Sequence, residues 1–184
     1  MSRQRAGTGL IAIDGVDAAA VLAAAKAALS ASPAAVRGGI SRWDASGVFQ
    51  DLAVADADAG QPSARTLLLL YAADLAFRLR WQIKPALAEG HTVVAAPYID
   101  TAIAFGRAAG VEPKWLVNLF RFAPRAAARQ FVHPHDSASK DGFVGFVAAR
   151  IAGGAHRRTR RQIVDQTAAH LRTVARRRKT RRSN

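Results

Sequence analysis

The sequence predicts an α/β domain, a parallel sheet flanked by helices, with a basic helical tail at its C-terminus. Three observations predict it. Two short apolar runs, GLIAID at 9–14 and HTVVAA at 91–96, sit beside glycines and turn residues, as buried parallel strands do. Alanine-rich stretches with helical spacing separate and follow them. Half of the 184 residues are apolar but only 7% are aromatic, which favours helices over a β-sandwich.

The elements follow in order. Gly9 to Asp14 is the first strand, leading into a turn at Gly15. Asp17 to Ser30, with Val21, Leu22 and Leu29, reads as a helix. Ala31 to Gly39 holds Pro33 and the Gly38-Gly39 pair, so it reads as a loop with room for a short strand. A short helix is expected around Phe49–Ala53, ending in an acidic loop at Asp56–Gly60. Ala64 to Glu89 is a strong helical stretch, with Leu68, Tyr71, Leu75 and Leu79 on one face, broken or ended near Pro85. Gly90 and Gly110 read as C-caps. His91 to Ala96 is the second buried strand, Ile99 to Ala109 a helix, and Pro113 to Phe122 another with proline in its first turn. Gly142 to Ile151 fits a strand or a short helix, and periodicity does not separate them. Gly153-Gly154 reads as a hinge. Arg160 to Arg178 places Ile163, Thr167, Leu171 and Val174 on one helical face, and Lys179 to Asn184 is expected to be disordered. The domain reading is an α/β domain over 1–152, truncated or divergent after about residue 125, and a basic helix and tail over 153–184.

Composition removes several classes of function. Cysteine is absent, which excludes disulfides and thiolate metal sites. Apolar runs such as Leu67–Ala73 fall far short of the roughly 20 residues of a membrane span. The N-terminal Met-Ser-Arg-Gln-Arg has no secretory h-region, so a cytoplasmic protein is expected. The net charge is +14, and it is unevenly placed: residues 150–184 hold 12 Arg or Lys against one acid, Asp165. The body is nearly balanced and the C-terminal segment carries the charge, which points to an anionic partner.

In an α/β nucleotide-binding domain the first strand–turn–helix cradles phosphate. It needs glycines for close backbone approach, a lysine for the β/γ charge and a Ser or Thr for Mg²⁺. Here the segment reads Asp14-Gly15-Val16-Asp17-Ala18-Ala19-Ala20-Val21-Leu22-Ala23. After the strand Ile11-Ala12-Ile13, it resembles the phosphate loop of thymidylate kinases, E-G-x-D-G-x-G-K-x-T, at Asp14, Gly15 and Asp17. Ala18 and Ala20 stand at the glycines, Val21 at the lysine, and Leu22 and Ala23 at the Ser/Thr positions. Lys26 follows about one turn too late to replace the lysine.

The middle of the chain extends the resemblance over residues 9–124. Ser63-Ala64-Arg65-Thr66, Leu67 to Tyr71, Ala72-Ala73-Asp74-Leu75-Ala76, and Ile83-Lys84-Pro85-Ala86-Leu87 with Gly90 follow the family's order and spacing. So do Val93 to Thr101, Ala104-Phe105, and Asn118 to Pro124 with its R-F-A-P. The fold that the resemblance implies is that of a P-loop kinase of the thymidylate kinase type. It also implies roles. Tyr71 matches the aromatic that stacks on thymine, and Leu75 replaces the arginine that contacts thymidylate. Ala96-Pro97 replaces the Asp-Arg pair that handles substrate phosphate, and Phe105 lacks the hydroxyl of the family's tyrosine. The arginine-rich lid and the strand expected after R-F-A-P are not recognisable, and the Arg157–Arg161 run lacks a lid's context.

A single cationic contributor to phosphoryl transfer is worth roughly 10³–10⁵ in rate. Losing the loop lysine, the Mg²⁺ hydroxyl and the Asp-Arg pair together points to a pseudoenzyme with no catalytic residues, no metal site and no cofactor. Mg²⁺ and ATP enter only if kinase activity survives through relocated cations such as Lys26 or Arg42. A remnant nucleotide pocket would comprise Gly15, Asp17, Arg65, Tyr71, Asp74, Tyr98 and Phe105, serving a non-catalytic thymidylate sensor. Against it, Asp17 suits a helix N-cap and the tyrosines suit core packing. His133, His135 and Asp136 read as a polar loop, and Trp43, Trp81 and Trp115 as packing residues.

The tail carries the leading functional expectation. Arg157, Arg158, Arg160 and Arg161 form one basic cluster. Arg172, Arg176, Arg177, Arg178, Lys179, Arg181 and Arg182 form a second. Guanidinium groups bind phosphate bidentately, so nucleic acid or a ribonucleoprotein is the expected partner. The apolar stripe has few large residues, which argues against a membrane surface. The family resemblance adds a homodimer or protein partner.

Overall fold

The computed structural model describes residues 9–55, 62–132, 142–151 and 159–182. The expected acidic loop at Asp56–Gly60, the His133–Asp136 loop and the Gly153-Gly154 hinge lie outside the described residues, as do Arg157 and Arg158.

A four-stranded, wholly parallel sheet forms the centre. Its strands are β1 (Leu10–Asp14), β2 (Arg37–Arg42), β3 (Thr92–Ala96) and β4 (Ala128–Phe131), in the order β2-β3-β1-β4. Leu10 to Ala12 lie opposite Val93 to Ala95, and Ile11 to Asp14 opposite Ala128 to Phe131. The central strands split their side chains by period two. Leu10, Ala12, Val93 and Ala95 enter the larger core, while Ile13, Val94 and Ala96 enter the smaller one. The larger core holds α3 (Ala64–Arg78), α5 (Ile99–Ala108), α7 (Phe143–Ile151) and α8 (Arg160–Arg182); the smaller is closed by Val21 and Ala25 of α1 (Ala18–Ser30). Shorter helices include α2 (Val48–Ala55) and α6 (Pro113–Leu119).

Local chemistry sets most boundaries. Asp17 accepts from Ala20 N at 3.0 Å and starts α1; Ser63 accepts from Thr66 N at 3.1 Å and starts α3. Gly90 and Gly110 end their helices at φ +78° and +79°, and the next N–H of each, His91 and Val111, returns to Ala86 O and Gly106 O. The long helix is not ended by Pro85. It widens into one π-helical turn, Leu79–Ile83, and continues as α4 (Lys84–Ala88). Proline lacks an N–H for the carbonyl four residues back, so the ladder is carried past it by Lys84 N reaching Leu79 O.

Some readings left open are settled, and others are corrected. The 31–39 loop yields β2, whose pairing slips between Arg37 and Ile40. A Cβ on Gly38 would stand 2.8 Å from Thr92 O, so the slip needs a glycine there. Residues 142–151 are helical, as α7. A strand does follow R-F-A-P: β4, a short edge strand with alternate exposure and little apolar signal. The backbone of α8 stays helical to Arg182, where disorder was expected. Trp81 is 62% exposed rather than packed.

Two buried polar anchors hold the strand ends. Asp14 Oδ1, at the end of β1, accepts from Tyr98 N, Thr101 N and Thr101 Oγ1 at 2.8–3.0 Å. Burial, aided by the charge of Asp100, pushes its pKa up to about 7 against the pull of those hydrogen bonds. Arg78, fully buried, donates to Ser41 Oγ, Ser41 O and Pro97 O at 2.8–3.0 Å, and its Nη1 lies 3.8 Å from Asp74. Asp74 accepts from Asp44 N, Ser46 N and Ser46 Oγ.

Arg78→Met is expected to destabilise the protein by about 3–5 kcal/mol in urea unfolding, since it strands a buried carboxylate. A loss below about 1 kcal/mol would refute the anchor. For Asp14 the folded pKa lies above the unfolded one, so the folded state binds the extra proton. Stability should fall as pH rises from about 4 through about 7. Asp14→Asn keeps the oxygen acceptor and should flatten that decline. Equal pH slopes for the two proteins would show that Asp14 does not cause it.

Candidate functional site

Ligands of open parallel sheets bind beyond the carboxyl ends of the strands. Here those ends are the phosphate-loop segment after β1, Arg42-Trp43 after β2, and Ala96-Pro97 after β3, joined by a cis peptide. The loop is closed from within. Gly15 N donates to Thr101 Oγ1 at 3.1 Å, so this N–H is already bonded inside the protein. A Cβ on Gly15 would meet Val21 Cγ2 at 2.8 Å and Val132 O at 3.1 Å. Gly15 therefore serves close packing. Asp17 is the α1 cap already described.

The start of α7 lies directly on this loop. A Cβ on Gly142 would come within 2.9 Å of Ala18 Cβ. The space left is a cavity of about 40 Å³ lined by Gly15, Ala18, Leu22, Arg42, Pro97 and Phe143, among others. That is room for a few waters. Arg42 is the cation on its wall. Lys26, on an exposed position of α1, does not line it.

The base-side residues are packed against the same helix. Tyr71 and the Phe143 ring are 4.4 Å apart at centroids, and Trp43, Phe49 and Phe105 meet Phe143 edge-on at 5.8–5.9 Å. Tyr71 Oη donates to Tyr98 O at 2.7 Å and to Pro97 O at 3.1 Å, and burial raises its pKa. Tyr98 Oη donates to Pro124 O at 2.8 Å, and burial pushes its pKa up to about 12. Asp74 belongs to the neighbouring Arg78 anchor. Arg65 is separate: it is exposed and stacks over Trp115 at 5.7 Å. So Tyr71 and Phe105 gather around one ring, this chain's own Phe143, while Tyr98 is tied to Tyr71 and Pro124 by hydrogen bonds. Sequence reasoning missed Phe143, Thr101 and Arg78; Trp43, read as a packing residue, packs edge-on against Phe49, Phe143 and Phe146. The aromatic pair Phe143 and Phe146 was the available signal for the first, within a stretch whose secondary structure periodicity left open.

The basic residues of α8 divide by face. Ile163, Val164, Ala168 and Leu171 are buried in the larger core. Arg161, Arg172, Arg176 and Arg177 are exposed, and Arg160 is half-buried. Arg161 lies 3.9 Å from Asp165, a solvent-screened pair of small worth. Arg178 continues the inward face and grips Asp100 with two hydrogen bonds, at 2.7 and 3.2 Å, beside Arg129 at 3.1 Å. Lys179, Arg181 and Arg182 lie on the helical backbone, and their side chains fall outside the description. Among the described residues no group of three or more His, Asp or Glu could hold a metal ion, and no helix is long and apolar enough to cross a membrane.

No family model matches the chain. Curated relatives match one stretch. A probable thymidylate kinase of Thermococcus gammatolerans is 38% identical over 68 residues, 37% of this chain and 33% of that protein. One of Pyrococcus horikoshii is 37% identical over 68 residues, with the same coverage. The match thus spans a third of the length of these relatives. Among solved structures, thymidylate kinase from Ehrlichia chaffeensis superposes with a TM-score of 0.65 at 14% identity, covering 93% of this chain and 88% of that one. The protein is therefore an α/β protein of thymidylate kinase fold, related in sequence to those kinases over a limited stretch.

Proposed function

We propose that this protein is a pseudoenzyme: a thymidylate-kinase-fold scaffold that transfers no phosphate and contacts nucleic acid or a nucleoprotein assembly through α8. The observation that carries the first half is the seating of α7. Phe143 packs on Tyr71 at a centroid distance of 4.4 Å, and Gly142 lies on Ala18 where the loop would face a phosphate. The residue types agree: Val21 and Leu22 provide neither a cation nor a metal-binding hydroxyl. The second half rests on charge. The C-terminal 35 residues carry 11 of the 14 net positive charges, and exposed arginines line α8.

Purified protein is expected to show no thymidylate-dependent ATP turnover. It is also expected to show no thermal shift with millimolar thymidylate, thymidine triphosphate or ATP, because a ligand that binds only the folded state must raise stability. Turnover abolished by Asp17→Ala would overturn the reading; a shift without turnover would favour a nucleotide sensor.

Binding to nucleic acid is expected to weaken steeply with salt and to lose affinity in the triple variant Arg161→Gln, Arg172→Gln, Arg176→Gln. These side chains are chosen because truncating α8 would expose Ile163, Val164, Ala168 and Leu171. Absence of binding at low salt would refute this half.

A further inference from the structure

The C-terminal half of α8 and the end of α5 enclose an open cleft of about 540 Å³, lined by Arg107, Val174, Arg177, Arg178 and Thr180. Arg107 belongs to no basic run in the sequence; the fold brings it there from α5. Arg178 forms one wall, bound bidentately to Asp100 and 5.5 Å from the ring centroid of Phe131. This pair fixes the C-terminal half of α8 against α5. Arg107 and Arg177 are both exposed, and among the described residues neither has an acidic partner. One turn before Val174, His170 is disfavoured in its charged form by burial and then by Arg107, which agrees with Arg107 reaching α8.

Two uncompensated guanidinium groups facing one concavity repel each other, and a phosphate between them relieves that repulsion with bidentate hydrogen bonds. The cleft is wide enough for a phosphate and the sugar beside it. It is open, so a polymer can enter and leave along the surface. An enclosed metabolite would instead be surrounded on most sides. Resting on the nucleic-acid reading above, we infer that this cleft is a phosphodiester clamp, in which Arg107 and Arg177 hold one backbone phosphate of a bound nucleic acid.

The test is fluorescence anisotropy of a labelled single-stranded oligonucleotide across a salt series. It uses the full chain, Arg107→Gln with Arg177→Gln, and Arg80→Gln as a surface cation outside the cleft. The double variant is expected to bind about tenfold more weakly per guanidinium removed, with a salt slope shallower by about 1 for each. Arg80→Gln is expected to match the parent. Circular dichroism of the double variant is expected to be unchanged, since both side chains are exposed. If the parent binds and the double variant matches it, the clamp is refuted and the broader nucleic-acid reading stands. If the parent does not bind, both fall. Polyglutamate competing as well as the oligonucleotide at equal charge would assign the cleft to an acidic protein surface and overturn the clamp. Inorganic phosphate competing at micromolar concentration would do the same in favour of a free anion.

Discussion

The guanidinium of Arg78 is the point on which the upper edge of the sheet depends. It is fully buried, and its hydrogen bonds reach the end of β2 at Ser41 and the turn after β3 at Pro97, while Asp74 beside it gathers the backbone at Asp44 and Ser46. Asp14 does the matching work for β1, tying it to the start of α5. Both anchors spend polar groups that a ligand-binding crevice would leave directed outward. The Gly15 N–H, the Thr101 hydroxyl and both tyrosine hydroxyls are spent in the same way. A ligand entering this crevice would have to break internal bonds, each costly to leave unmade. Polar satisfaction inside the chain and phosphate binding therefore compete for the same atoms.

The two helices after β4 complete the packing around the crevice. α7 brings Phe143 into a ring of aromatics whose edge-to-face geometry supplies packing beyond simple burial. α8 adds its own stripe to the same core and ends on the Arg178–Asp100 pair. Asp100 is shared: its charge raises the pKa of Asp14, and Arg129 and Arg178 balance it. The C-terminal helix is thus electrostatically linked to the first strand through one carboxylate. The helix that carries the exposed arginines is thereby held against the domain at its C-terminal half.

The sequence made β1, β3, α1, α3 and α5 legible because each has one strong local signal: an unbroken apolar run, a capping residue, or a glycine at positive φ. The two polar-edged strands were harder. β2 reads RGGISR and β4 reads ARQF; their pairing comes from neighbours in space, not from their own composition. The parallel α/β class was legible for a simpler reason, the alternation of strand and helix. The site was legible in part. The residues that stand where the resemblance would put a lysine, a hydroxyl and an Asp-Arg pair can be read from the sequence alone. What fills the crevice cannot, since Phe143 meets Tyr71 across 72 positions of sequence and no local pattern encodes that contact.

Motif residues that remain in this chain each have a structural task. Gly15 leaves no room for a Cβ beside Val21 and Val132. Asp17 caps α1, Ser63 caps α3, and Tyr71 and Asp74 bond to backbone at the crevice. Where the resemblance breaks, Val21 and Leu75 are buried in the two cores, and Ala18 and Pro97 line the small cavity at the strand ends. Val21 buries its side chain in the smaller core, where a charged group would lose its hydration. Burial of that apolar side chain contributes about 1.5–3 kcal/mol. Stability alone therefore accounts for both sets: the residues shared with the family motif hold backbone at the crevice, and the apolar ones beside them fill the cores.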